Sequence, residues 1–184
     1  NKITTQVMET IIIPTVEGMR SENKPYKGVL YAGLMLTDNG PKLIEFNVRF
    51  GDPECQVLMP RLRSDIVPAL IATCDGELGD FDLQWYEKTA LTIVFATKGY
   101  PGPYISGSVI YGIENASKFP NAQVFHSGTK IDSNMQITAA GGRVLSITAI
   151  ETSLKEAQRT AYEVIQQIEW PEGFYRRDIG WRAL

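Results

Sequence analysis

Leu43-Ile44-Glu45-Phe46-Asn47-Val48-Arg49-Phe50-Gly51-Asp52-Pro53-Glu54-Cys55-Gln56 is the stretch from which the fold and the chemistry of this 184-residue chain are read. Side chains in a strand alternate faces, so Glu45, Asn47 and Arg49 are expected on one face, with Ile44, Phe46 and Val48 filling the other. A carboxylate, an amide oxygen and a guanidinium are costly to bury without partners. The same three groups suit a hard cation and a bound anion. Oxygen ligands are what Mg²⁺ prefers, usually with substrate phosphates completing the shell, and Arg offers a planar fork to phosphate or carboxylate. Spacing alone favours the plainer alternative, an amphipathic edge strand with a solvated polar face. The residues that follow weaken it. Gly51-Asp52-Pro53-Glu54 reads as a tight turn in which Asp52 caps a helix and Pro53 takes its first position. That would set free N–H groups beside the polar face, a natural place for an anion.

Composition narrows the classes. Apolar residues make up 43% and charged residues 21% of the chain, ordinary for a globular protein, and the length suffices for one domain or two small ones. A net charge of −3 argues against a nucleic-acid partner, whose footprint is a basic patch. No apolar run reaches the length of a membrane span, and Asn1-Lys2-Ile3-Thr4-Thr5 has neither the basic start nor the apolar stretch of a signal peptide. Cys55 and Cys74 lack metal-ligand spacing and read as free thiols of a reducing cytosol.

Along the chain, Ile3, Val7, Met8, Ile11 and Ile12 recur at helical spacing, predicting a helix over 2–13 stopped by Pro14. A polar segment, 15–24, bridges to a strand over 26–37. Asp38-Asn39-Gly40 is a hairpin signal that folds this strand antiparallel onto 42–49. A short helix over 53–59 is interrupted by Pro60. A second, capped by Ser64, runs to about Thr73 with Ile66, Val67, Leu70 and Ile71 on its buried face, and Cys74-Asp75-Gly76 ends it. Beyond residue 88 come short strand-like runs over 90–96, 107–111, 122–126, 131–138 and 143–149. A last helix starts near Thr152, with Ser153 and Glu156 at capping-box spacing and an apolar stripe of Leu154, Ala157, Ala161, Val164, Ile165 and Ile168. A domain boundary is expected near residue 88.

Two runs carry a resemblance. Pro25-Tyr26-Lys27-Gly28-Val29-Leu30-Tyr31-Ala32-Gly33-Leu34-Met35 leads into Ile44–Glu54, and together they closely resemble the glycinamide ribonucleotide synthetases, members of the ATP-grasp group. Gly141-Gly142-Arg143-Val144-Leu145 and Tyr175-Arg176-Arg177-Asp178-Ile179-Gly180 resemble the same family's C-terminal domain. The likeness covers nearly the whole chain in the expected order, and it is more specific than a lone Glu-x-Asn-x-Arg, which many ATP-grasp enzymes share. Nothing resembles the family's N-terminal substrate domain or the glycine-rich lobe over ATP. With no initiating Met either, the chain is expected to be a C-terminal portion, inactive alone and partnered by the missing N-terminal half.

The resemblance implies an α+β fold. Residues 1–88 would be the C-terminal part of an ATP-grasp lobe, an antiparallel sheet with helices. Residues 89–184 would be a small β-rich domain closed by the last helix, similar to the C-terminal domain of biotin carboxylase. It also implies a cytoplasmic, monomeric ligase that joins glycine to 5-phosphoribosylamine at the expense of ATP through a glycyl phosphate, acting in purine biosynthesis. In the matched motif Glu45 and Asn47 would hold Mg²⁺ or Mn²⁺, and Arg49 would serve catalysis, unless it is spent on a salt bridge to Asp52 or Glu54. Gly51, Asp52 and Glu54 would shape the substrate side, a helix cap being nearly as good an account of Asp52. ATP-grasp relatives often add a carboxylate on the preceding strand, where this chain has only Ala32-Gly33-Leu34-Met35-Leu36. His126, the only histidine, is read as structural. Arg143, Arg176 and Arg177 either reach toward phosphate or pin domains together. Two other readings remain: a different ATP-grasp ligase, and a non-catalytic binding domain.

Overall fold

A computed structural model describes residues 2–184. Its backbone divides into two compact units, one taking the chain to Asp52 together with Ser64–Leu83, the other Pro53–Arg63 with Gln84–Leu184. The fold mixes helices with antiparallel sheets, as the sequence predicts.

The first unit opens on a single helical run: α1 (Lys2–Val7), a wider π-helical turn at Met8–Ile12, and α2 (Ile13–Ser21). Pro14 therefore does not stop the helix, and most of the expected polar bridge is helical. Inside a helix proline lacks an N–H and its ring collides with the carbonyl four residues back. Here the turn before it widens, the Ile13 N–H bonding to the Met8 carbonyl five residues back. Pro14 thereby enters in the first turn of α2, where a missing N–H costs least.

Strands β1 (Tyr31–Thr37) and β2 (Gly40–Asn47) form the expected hairpin, with Thr37 opposite Gly40. Asp38-Asn39 makes the turn, and Gly40 sits at φ +90°, which glycine adopts without penalty. Pairing runs in step to Leu34 opposite Leu43, then slips so that Gly33 faces Glu45. Ile44 is thus the extra residue of a bulge. The apolar face expected of Ile44, Phe46 and Val48 is not buried: Ile44 is 64% and Val48 69% exposed, with Phe46 half-buried.

The chain then enters the second unit for α3 (Cys55–Leu58) and a 3₁₀ turn at Met59–Arg61 that absorbs Pro60. It returns to the first unit for α4 (Ile66–Asp75), whose cap is Asp65 rather than Ser64. The Asp65 carboxylate accepts from the Val67 N–H at 2.9 Å, and Gly76 closes the helix at φ +85°. Of α4 only Ala69 is buried; Val67, Leu70 and Ile71, expected inside, are exposed.

The second unit holds the core. After β3 (Thr89–Thr97) and the single turn α5 (Ile113–Ala116) come β4 (Ala122–His126), a small hairpin of β5 (Thr129–Ile131) and β6 (Ile137–Ala139), then β7 (Arg143–Glu151), α6 (Leu154–Ile165) and β8 (Gly173–Phe174). The main sheet has order β4-β7-β3-β8, all antiparallel. Two sequence expectations change here. Residues 107–111 contribute only isolated bridges at Val109 and Tyr111, and the run over 131–138 splits because Asp132 turns the chain, its carboxylate accepting from the Asn134 and Gln136 N–H groups at 2.9 and 2.8 Å.

Central β7 is buried from Val144 to Ala149, and its one deep hydroxyl pair is satisfied: Thr148 donates to Thr92 across the sheet at 2.9 Å. Helix α6 packs its expected stripe on this sheet, with Ala157, Ala161 and Val164 wholly buried. At its start the Glu156 N–H donates to the Ser153 hydroxyl at 3.3 Å, and the Thr152 and Ser153 hydroxyls donate back to the Glu156 carboxylate at 2.5 and 3.1 Å. These bonds, Thr152 first, hold the Glu156 carboxyl below its usual range. Phe95, Trp170 and Tyr175 close the core beside β8, their ring centroids 5.0 and 5.2 Å apart from Phe95.

Candidate functional site

The polar groups singled out in the sequence gather at the open end of the first hairpin. The ladder of β1 and β2 ends at Tyr31 opposite Asn47. Glu45 and Asn47 stand two residues apart on the same strand face, and the Asn47 Nδ2 donates to the Glu45 Oε1 at 3.2 Å. The Asn47 amide oxygen and the second Glu45 oxygen have no protein hydrogen bond among the described residues. Glu45 is exposed and Asn47 half-buried, so both can be reached from solvent.

A carboxylate and an amide oxygen side by side form a hard-cation donor set. It is a small one. Among the described residues no group of three or more His, Cys, Asp or Glu side chains could hold a metal ion. A two-donor arrangement fits an ion whose shell is completed by water and substrate phosphates, as Mg²⁺ commonly is.

Arg49 lies past the end of the ladder, where the chain bends. Its Nη1 donates to the Phe50 carbonyl at 2.9 Å, so the guanidinium is held close to its own backbone. Gly51 is buried and, with Asp52, ends the first segment of the first unit, whereas Glu54 belongs to the second. Asp52 is not the cap of α3: the helix begins at Cys55 with Glu54 in the capping position and no side-chain capping bond. Asp52, Pro53 and Glu54 form the turn that leads into it, the Pro53 carbonyl accepting from the Gln56 N–H at 3.2 Å and the Glu54 carbonyl from the Val57 and Leu58 N–H groups at 3.1 Å.

The second unit answers part of the question left over its arginines. Arg176 donates from Nε and Nη2 to the two Asp178 oxygens at 2.9 and 2.7 Å. That bidentate pair lowers the Asp178 pKa and raises that of Arg176. Arg177 lies over the Tyr175 ring, 5.7 Å from its centroid, a cation–π geometry. Tyr162 fixes the same segment, donating to the Arg176 carbonyl at 2.8 Å and accepting from the Ile179 N–H at 3.1 Å. Arg143 and Arg176 both line a largely apolar cavity of about 430 Å³ with Val94, Pro101, Phe174 and Tyr175. The glycines before Arg143 have a steric reason: a Cβ on Gly142 would fall 2.1 Å from the Tyr100 ring. His126 is exposed, its Nδ1 2.9 Å from the Thr129 hydroxyl across the turn into β5, in keeping with a structural role.

Sequence reasoning passed over Gly33. Its only signal was the missing carboxylate on the strand before Glu45, and its position opposite Glu45 depends on a bulge that composition does not announce.

Comparison with known proteins covers the chain in two parts. Residues 90–182 match the family described as phosphoribosylglycinamide synthetase, C domain, and residues 1–55 match phosphoribosylglycinamide synthetase, ATP-grasp (A) domain. The phosphoribosylamine–glycine ligase (chloroplastic) of Arabidopsis thaliana is 54% identical over 97% of the chain, which spans 34% of that protein. That of Escherichia coli O157:H7 is 47% identical over 97% of the chain and 42% of its own length. A crystal structure of the phosphoribosylamine–glycine ligase of Thermotoga maritima superposes with a TM-score of 0.82 at 29% identity, covering 97% of this chain and 43% of that one. N5-carboxyaminoimidazole ribonucleotide synthetase from the same organism shares the fold at 12% identity and a TM-score of 0.54, over 83% of this chain and 39% of that one. The chain thus spans between a third and a half of the length of each of these four proteins. Among the described residues no helix is long and apolar enough to cross a membrane.

Proposed function

The chain belongs to the phosphoribosylglycinamide synthetase family, and from that premise we propose that it supplies the metal-holding strand and the C-terminal domain of an ATP-dependent ligase. The reaction joins glycine to 5-phosphoribosylamine, giving glycinamide ribonucleotide, ADP and phosphate. The observation that carries the reading is the pair Glu45–Asn47, a carboxylate and an amide 3.2 Å apart on one exposed strand face. Residues 1–88 would belong to the ATP-grasp lobe and 89–184 to the C-terminal domain, in a monomeric cytoplasmic enzyme whose remaining length supplies the other half of the ATP site.

In this account Glu45 and the Asn47 amide oxygen hold Mg²⁺ or Mn²⁺. When bound, the ion neutralises charge on the ATP phosphates as the γ-phosphoryl group moves. The glycine carboxylate attacks the γ-phosphorus, forming the acyl–phosphate bond of glycyl phosphate and releasing ADP. The amine of phosphoribosylamine then attacks the acyl carbon, phosphate leaves, and the amine gives up a proton. Arg49 exchanges its bond to the Phe50 carbonyl for the transferring phosphoryl group, offering a planar fork to charge that builds during transfer. Gly51, Asp52 and Glu54 line the substrate side, and closure over the acyl phosphate keeps water from hydrolysing it.

The test is ADP release by the intact protein with glycine and phosphoribosylamine omitted in turn. Dependence on both is expected. Release indifferent to glycine would replace the substrate assignment, and no release under any mixture would return the chain to a binding role.

A further inference from the structure

We propose that Gly33 is a positioning residue for the ligand pair, its missing side chain leaving the room in which Glu45 takes its place. The inference rests on Glu45 serving as the metal ligand and goes beyond it by naming what aims that carboxylate. Gly33 faces Glu45 across the hairpin at the slip in register. A Cβ on Gly33 would stand 3.1 Å from the Glu45 Cγ, 3.6 Å from its carbonyl oxygen and 3.8 Å from Oε1. Carbon atoms in good contact lie at about 3.5–4.0 Å, so any side chain at 33 displaces Cγ by a few tenths of an ångström.

Cγ sits near the root of the side chain and cannot swing aside as a terminal atom does. The carboxylate is carried with it, and because Oε1 accepts from the Asn47 amide, both donors move together. Backbone conformation does not demand glycine here. Gly33 is absent from the glycines at positive φ, so alanine would fit the strand. A glycine inside a strand weakens it, and its usual reasons are a bulge, as at the register slip here, or a close approach by another group. At position 33 that group is the Glu45 side chain.

The experiment compares Gly33→Ala, Glu45→Gln and Gly18→Ala in the intact protein, Gly18 having nothing within 4 Å of an added Cβ. Mn²⁺ affinity is read from the free-ion electron paramagnetic resonance signal with ADP present. Turnover is followed against metal and against glycine, and melting is recorded without metal. Gly33→Ala is expected to weaken Mn²⁺ binding and raise the half-saturating metal concentration about tenfold, with the KM for glycine unchanged and the metal-free melting transition little moved. Gly18→Ala should leave metal binding alone. Unchanged Mn²⁺ affinity in Gly33→Ala beside a loss in Glu45→Gln would overturn the positioning role and keep Glu45 as ligand. Undiminished affinity in Glu45→Gln would overturn the ligand assignment itself. If Gly33→Ala lowers metal-free melting in step with affinity, glycine is needed for the strand and the proposal fails.

Discussion

Strands β2 and β7 are built from a comparable mix of residues, Gly-Pro-Lys-Leu-Ile-Glu-Phe-Asn and Arg-Val-Leu-Ser-Ile-Thr-Ala-Ile-Glu, yet they do opposite work. In β7 six successive residues are buried, with β3 and β4 on its edges and α6 on the sheet. In β2 no residue is fully buried, and Ile44 at 64% exposure contrasts with Ile147 at 0%. A strand becomes a source of stability only when neighbours cover its faces. Without them its side chains stay accessible, and in β2 that accessibility belongs to an exposed carboxylate and the half-buried amide bonded to it.

Mutations sharpen the contrast in order of size. Trp170→Ala removes the ring packed at a tilt against Phe95 and the indole N–H donated to the Ser108 hydroxyl at 2.8 Å; a loss of about 3–5 kcal/mol is expected in denaturant unfolding. Ile147→Ala, in the middle of β7, should cost about 2–5 kcal/mol by the same measurement. If either proves neutral, the second unit is not where stability resides. Ser153→Ala deletes the cap of α6 and should cost about 1 kcal/mol. Ile44→Ser on β2 should change unfolding by less than about 0.5 kcal/mol, and a large loss there would erase the contrast.

Acid adds a further arm. Glu156 and Asp178 have carboxyls held below their ordinary values, by the Thr152 and Ser153 hydroxyls and by Arg176 respectively. A depressed carboxylate pKa contributes stability that is present above the unfolded-state value, about pH 4, and is lost as pH falls through the folded-state value. Melting temperature should therefore fall on acidification in that window, and fall less steeply in Glu156→Gln.

What the sequence made legible was local. The Asp38-Asn39-Gly40 turn, the capping pair Ser153 and Glu156 and the stripe along α6 are set by neighbours in the chain, and all appear as expected. The alternation that places Glu45 with Asn47 is local too. What escaped depends on groups far away in sequence or on how a turn relaxes. The widened turn before Pro14 is one such adjustment. The exposed face of α4 is another, since Ile66, Val67, Leu70 and Ile71 have helical spacing, yet Val67, Leu70 and Ile71 stay exposed. Arg49 falls outside the strand because pairing stops at Asn47, and Gly33 gains meaning only through a register slip.

The most direct measurement is turnover and melting of Glu45→Ala in one preparation of the intact protein. Loss of ligase turnover with an unchanged melting transition is the predicted result. Retained turnover would contradict the metal-holding role of the exposed strand, on which the whole account depends.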